Sequence, residues 1–346
     1  NNDRLESLKS LDYKVSDNYD DARSSEIVII AVPTPLNSDR MPDITYIESA
    51  CNSLVNIISP GTLIINESTS FPGTLRKIIA AILGNQMLYA SAPERVDPGN
   101  NVWNIRNTPR IIGGLNDKAL TLALNFYKSI CDSVISVSSP EVAEAAKLFE
   151  NTFRQVNIAL VNEFAIIANS LNISVFETLD AANSKPFGIM KFLPGIGVGG
   201  HCIPVDPIYL SYVAAQSGVK AEFIELANKT NRSMTQYVVN RLEKDIEIKN
   251  MRIQIAGISY KSNVSDTRES PVLDLIHNLR ERGAIVIWHD EFVKAFNGES
   301  SKPLMKVDLG IIATAHDNVD YSPWRKENVK VLNMSHKDIE DWHRYL

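Results

Sequence analysis

Short apolar, β-branched runs alternate with amphipathic stretches through the first third of the chain. Residues 26–31 (Glu-Ile-Val-Ile-Ile-Ala) read as a buried strand closed by Val32-Pro-Thr-Pro35, and 62–66 repeat the pattern behind the Pro60-Gly61 turn. Residues 87–90, 110–112 and 133–137 read as further strands, while 44–58 and 117–130 carry helical periodicity. Strands alternating with helices predict a mostly parallel α/β sheet. At Pro140 the pattern changes: 141–171 is a long helix-compatible stretch without Pro or Gly, opened by Ser139-Pro140 with Glu141 in its first turn. Helices are also predicted over 175–183, 206–217 and about 222–248, with a Gly-rich loop over 193–204 between them. From Met251 the alternation returns, with strands at 252–256, 284–288, 309–313 and 329–332 and a helix at 270–282. The predicted architecture is α/β, with two Rossmann-like doubly wound domains (1–139 and 249–346) joined by a central all-helical domain (140–248).

Composition narrows the class. A chain of 346 residues with 44% hydrophobic and 22% charged residues is globular, of two or three domains. Lys plus Arg number 35 against 41 for Asp plus Glu, a net charge of −6 that argues against nucleic acid as the main partner. No apolar run reaches the roughly 18 residues of a membrane helix, and Asn1, Asn2, Asp3 and Arg4 show no signal-peptide pattern. Three scattered cysteines, Cys51, Cys131 and Cys202, fit a reducing compartment, so a cytoplasmic location is expected. A complete dinucleotide-binding domain opens with a strand and a Gly-x-Gly-x-x-Gly turn. Here the first clear strand already ends in Val32-Pro-Thr-Pro35, so the opening strands, the glycine fingerprint and the ribose-binding acid are expected to be missing from this sequence.

Four segments could carry chemistry. In Gly199-Gly-His-Cys-Ile-Pro-Val-Asp-Pro207 a cysteine ends a Gly-rich loop just ahead of a helix that Pro204 and Asp206 could start. A helix N-terminus lowers a thiol's pKa, and Asp206 could hold water or take a proton. A buried structural cysteine in a turn is the other reading, and His201 reads as structural. In Glu144-Ala-Ala-Lys-Leu-Phe-Glu-Asn-Thr-Phe-Arg154, Lys147 and Asn151 share a helix face and could hold an oxyanion, or form a solvated face with a Glu-Lys pair. Thr34, the Asn66-Glu-Ser-Thr69 turn and Pro93-Glu-Arg95 follow strands, where α/β sheets bind ligands, although such residues are also ordinary in turns. Lys261 and Arg268, in the loop after the first strand of the last domain, suit a phosphate or a polar surface.

Taken in order, Val-Pro-Thr-Pro, Glu-Ser-Thr, Pro-Glu-Arg, the Lys147–Asn151 segment, the Cys202 segment and Tyr260-Lys261 with Asp266-Thr-Arg-Glu-Ser-Pro271 resemble the UDP-glucose/GDP-mannose dehydrogenase family over essentially the whole chain. Ala182-Asn-Ser-Lys-Pro-Phe-Gly188 ahead of the cysteine motif most resembles the UDP-N-acetylglucosamine 6-dehydrogenases, with UDP-N-acetylmannosamine and UDP-glucose as alternative substrates. The resemblance implies oxidation of the C6 alcohol of a UDP-sugar to a carboxylate by two NAD+ in succession, without a metal, for surface polysaccharide precursors. It implies that Cys202 forms a thiohemiacetal and then a thioester, that Lys147 and Asn151 stabilise the oxyanion, that Thr69 and Asp206 hold water and relay protons, and that Glu94 helps hydrolysis. It implies cofactor contacts for Thr34, Glu67, Thr69 and Arg268. For the UDP-sugar it implies contacts from Lys147, Asn151, Gly195, Gly197, Gly199, Gly200 and Lys261, with a homodimer built on the central helix. A cysteine hydrolase using Cys202 and His201 is disfavoured because adjacent side chains rarely face each other. A sugar-nucleotide-binding protein without chemistry is disfavoured by the joint presence of Cys202, Lys147, Asn151 and Asp206.

Overall fold

The computed structural model describes residues 13–97, 100, 102–339, 342 and 344–346. The reading of Asn1–Arg4 lies outside them. The chain forms two compact units, one of residues through Asn37 together with Pro42–Lys147, the other of Ser38–Met41 and Leu148–Leu346.

The first unit is a five-stranded sheet of β1 (Ile27–Ile30), β2 (Leu63–Asn66), β3 (Leu88–Ser91), β4 (Arg110–Gly114) and β5 (Val134–Ser136), laid out in chain order. All pairs are parallel except β3–β4, where Ala90 faces Gly114 and Ser91 faces Gly113. Both faces are covered. Ile64 packs with Ile30, Ile47, Cys51, Leu75 and Ile79 on one side, and Leu63 and Ile65 pack with Ala90, Ile112, Ala119 and Tyr127 on the other. Burial on both faces is why β2 is continuously apolar instead of alternating. Helix α1 (Thr45–Leu54) stops short of the predicted 58 because Asn56 takes a left-handed φ of 64°. Helix α2 (Asp117–Lys128) is N-capped by Asn116, whose side chain accepts the Ala119 N–H. A helical stretch, Leu75–Ile79 continuing as Ala80–Leu83, follows the Pro72-Gly73 turn.

Helix α3 (Pro140–Ser170) leads from the first unit into the second. There α4 (Val175–Asn183), α5 (Asp206–Gln216) and α6 (Glu222–Asp245) precede a four-stranded parallel sheet. Its strands are β6 (Arg252–Ala256), β7 (Ile285–His289), β8 (Leu309–Ile312) and β9 (Lys330–Asn333), in the order β9-β8-β6-β7. Helix α7 (Pro271–Glu281) follows β6. Val238, Val239 and Leu242 of α6 share one core with Val272, Leu275 and Leu279 of α7 and with Ile253 and Ile255 of β6. Ile196 enters the same core and anchors the Gly-rich loop between Gly195 and Gly197.

Candidate active site

In the first unit Thr34, Glu67, Thr69 and Glu94 all lie just past the carboxyl ends of β1, β2 and β3. Hydrogen bonds tie these ends into one rim. The N–H groups of Glu67 and Ser68 donate to Ile30 O at 2.9 and 3.2 Å, and Glu94 N–H donates to Glu67 O at 3.1 Å. Ser68 Oγ accepts the Val32 N–H at 2.8 Å and donates to Val32 O at 2.9 Å. Thr34 is buried and Thr69 half-buried. The Glu67 carboxylate receives the Tyr127 hydroxyl and lies 3.9 Å from the Arg110 guanidinium. Burial, reinforced by Glu67, raises the Tyr127 pKa. Asn66 Oδ1 and Ser91 Oγ, neighbours across β2 and β3, are buried without a hydrogen-bond partner. A rim of strand ends carrying unsatisfied polar atoms fits an extended polar ligand such as a dinucleotide.

Glu144 in this unit is a residue that sequence reasoning placed only in a solvated Glu-Lys face. The structure corrects that reading: Glu144 is 1% exposed. Its Oε2 accepts the Gly73 N–H at 2.7 Å and its Oε1 the Leu75 N–H at 2.9 Å. Burial outweighs those two donors and pushes the carboxyl up to about 8. Lys147, one turn further along α3, is half-buried.

In the second unit Cys202 is exposed, and its carbonyl accepts the Asp206 N–H at 2.8 Å and the Val205 N–H at 3.1 Å. Helix α5 starts at Asp206, with Pro207 in its first turn, so Cys202 lies four residues ahead of the helix. Asn151 Nδ2 donates to Asp206 Oδ2 at 2.5 Å, and both side chains are buried. Two residues read separately from the sequence are thus one pair. His201 is half-buried, and burial together with the charge of Arg268 lowers its pKa, which disfavours it as a base beside Cys202.

A cavity of about 210 Å³ is lined by Gly195, Gly197, Gly199, Tyr260, Lys261 and His336 among others. Gly200 is not on its wall. A Cβ at Gly200 would come within 2.7 Å of the Tyr260 ring, and its φ is +90°, so this glycine permits a close approach. Gly200 N–H also donates to Arg268 O at 3.0 Å. The Arg268 guanidinium is held by both oxygens of Asp266, with Nε–Oδ1 at 2.9 Å and Nη2–Oδ2 at 2.6 Å. The loop that carries Lys261 is fastened from behind. Asp290 Oδ2 accepts the N–H groups of Ile258 (2.8 Å) and Ser259 (3.2 Å). His316 Nδ1 accepts the Asn263 N–H at 2.8 Å, which leaves Nε2–H to face Asp290 Oδ2 at 3.1 Å. Burial alone would raise Asp290, but His316 and the surrounding N–H groups hold it down to about 2. Sequence reasoning passed over Asp290 and His316, although each follows a parallel strand, the position where ligand loops begin.

Models of three domains match the chain: the NAD binding domain of the UDP-glucose/GDP-mannose dehydrogenase family over 4–131, its central domain over 141–233 and its UDP binding domain over 254–341. The chain belongs to the UDP-glucose/GDP-mannose dehydrogenase family. This dehydrogenase is 36% identical to the UDP-N-acetyl-D-mannosamine dehydrogenase of Pyrococcus horikoshii, over 98% of this chain and 82% of that protein. It is 32% identical to the UDP-N-acetyl-D-glucosamine 6-dehydrogenase of Pseudomonas aeruginosa, over 94% of this chain and 81% of that one. A solved structure of the P. horikoshii UDP-D-ManNAc dehydrogenase superposes with a TM-score of 0.85 at 33% identity, covering 98% of this chain and 84% of the other. The expected two-Rossmann architecture, the NAD cofactor and the UDP-sugar dehydrogenase class are all borne out. Among the described residues no helix is long and apolar enough to cross a membrane.

Proposed function

We propose that this dehydrogenase oxidises the C6 hydroxyl of a UDP-linked 2-acetamido hexose to the carboxylate through a covalent adduct on Cys202, for surface polysaccharide precursors. The Asn151–Asp206 pair, buried where α5 begins four residues after the exposed Cys202, carries this reading. In this reading Asn151 presents an amide to the reacting oxygen, and Asp206 keeps a proton or a water near sulfur. NAD+ supplies the oxidant, one equivalent for each two-electron step. In the adduct step Cys202 Sγ bonds to the C6 aldehyde carbon as the carbonyl π bond opens and its oxygen, stabilised by Lys147 and Asn151, takes up the thiol's proton; loss of the second hydride with that proton then leaves a thioester on Cys202. In the closing step water adds, the C–S bond breaks and the thiol regains its proton, with Thr69, Asp206 and Glu94 handling water and protons. Thr34, Glu67 and Arg268 serve the cofactor in this scheme. Lys261 and the glycines Gly195, Gly197, Gly199 and Gly200 shape the nucleotide-sugar pocket.

For the sugar, the Lys185–Gly188 segment favours UDP-N-acetylglucosamine, and the naming of the P. horikoshii relative favours its C2 epimer. In the structure Lys185 Nζ lies 4.6 Å from the Phe187 ring centroid, with both residues exposed. The common feature, a 2-acetamido group, separates both from UDP-glucose. Steady-state kinetics with the three UDP-sugars and NAD+ test this. A kcat/KM for UDP-glucose tenfold above both acetamido sugars, about 1.4 kcal/mol, would overturn it.

The domain limits at 139/140 and 248/249, a cytoplasmic location and a homodimer belong to the same proposal. Phe149, Phe153, Leu160, Ile167 and Leu171 leave an exposed apolar stripe along and just beyond α3. Leu160→Glu should convert a dimer to monomer in light scattering, and a wild-type chain that is monomeric at micromolar concentration would exclude the dimer.

A further inference from the structure

We propose that Glu144 is a positioning residue, whose buried carboxyl group latches the loop that carries Thr69 through the Gly73 and Leu75 N–H groups. The latch spans a long stretch of sequence, from α3 back to the turn after β2. It holds the far end of the segment that starts at the rim residue Glu67 and carries Thr69. The front of this loop is pinned independently, since Asn66 Nδ2 donates to Ser68 O at 3.2 Å and to Ser70 Oγ at 3.0 Å. Glu144 alone among the described residues accepts the side-on N–H groups of Gly73 and Leu75, and a buried N–H without a partner costs about 1–3 kcal/mol.

The latch responds to pH. The charged and titratable neighbours of Glu144 are Arg76 and Glu141, which pair with each other at 2.6 Å, with Lys77 beside Gly73 and Lys147 one turn along α3. Glu141 is held down to about 2, by Arg76 above all, so this neighbour stays ionised. Glu144 itself binds its proton far more tightly when latched than in water. By linkage the latched loop is favoured by protonation, and loop opening that exposes Glu144 becomes easier as pH rises from about 5 to 8.

The effect on turnover rests on the reading of Thr69 above, so two measurements are kept apart. Hydrogen exchange of the full chain between pH 6 and 9 reads the latch directly. Protection of the Gly73 and Leu75 amides in the wild type should fall at least tenfold across that range, after correction for intrinsic exchange. Glu144→Gln, neutral at every pH, should lose the pH dependence, and Glu144→Ala should lose protection throughout. Flat or rising wild-type protection would overturn the latch, and this arm needs no variant to fold. In kinetics Glu144→Ala should lower kcat about tenfold with KM for the UDP-sugar within twofold, and Glu144→Gln should recover most of it. Normal turnover in Thr69→Ala would remove the reading of Thr69 while leaving the amide data to decide the latch.

Discussion

Two loops, one in each unit, are held by a buried carboxyl group that accepts backbone N–H groups, yet the two groups titrate in opposite directions. Glu144 meets two N–H donors, with Arg76 acting on it only weakly at a distance, and burial raises it to about 8. Asp290 meets four N–H groups, those of Ile258, Ser259, Phe292 and Val293, and faces His316; it is held at about 2. Burial is common to both, so the number of donors and the imidazole decide the charge state. The lesson is that one structural device can make a permanent fastening or a proton-dependent one. The Lys261 loop has the former and the Thr69 loop the latter.

The largest effect is expected at Cys202, which belongs to neither fastening and sets the scale for loss of chemistry. Cys202→Ser should cut carboxylate formation by orders of magnitude with folding and UDP binding retained, because a hydroxyl without a strong adjacent base is a poor nucleophile. Product mass spectrometry beside a thermal melt checks this, and near-normal carboxylate in a folded variant would remove Cys202 from the mechanism.

Asp290→Asn comes next. It leaves N–H groups underserved and should cost about 3 kcal/mol of stability. In calorimetry it should weaken UDP binding severalfold while NAD+ binding is unchanged. Glu144→Ala should show the reverse pattern, with kcat reduced and UDP affinity kept; a matching KM effect in both variants would erase the distinction between the loops.

The pH dependence of stability separates the two groups further. The folded-state pKa of Asp290 is depressed, so its contribution of about 2 kcal/mol is present above pH 4 and lost as pH falls through about 2. The Glu144 value is raised, so its contribution is full below pH 4.5 and declines as pH rises to about 8. Urea melts at pH 5 and 9 should therefore show Glu144→Gln gaining on the wild type at the higher pH. No gain would mean that Glu144 is ionised in the fold at neutral pH. The smallest effect is expected for Arg76→Gln, an exposed pair worth under about 1 kcal/mol, which should move release of the Thr69 loop to slightly higher pH.

What the sequence determined by itself was local. Strand and helix identities followed from period-2 and period-3.6 patterns, and α4 from Val175 to Asn183 and β6 from Arg252 to Ala256 fall where those patterns place them. The Cys202 motif was equally readable, because a glycine loop, a cysteine and a helix start lie within nine residues. The apolar pattern runs a few residues past the ends of α1 and α6, where the backbone has already turned. Only tertiary structure decided the rest. Asn151 finds Asp206 across 55 positions, Glu144 finds Gly73 across 71 and Asp290 finds Ile258 across 32. Periodicity and capping act over a few residues and leave their mark on neighbouring letters. The partner of a buried polar group, and hence whether it carries charge, is chosen when distant loops close on one another and water leaves.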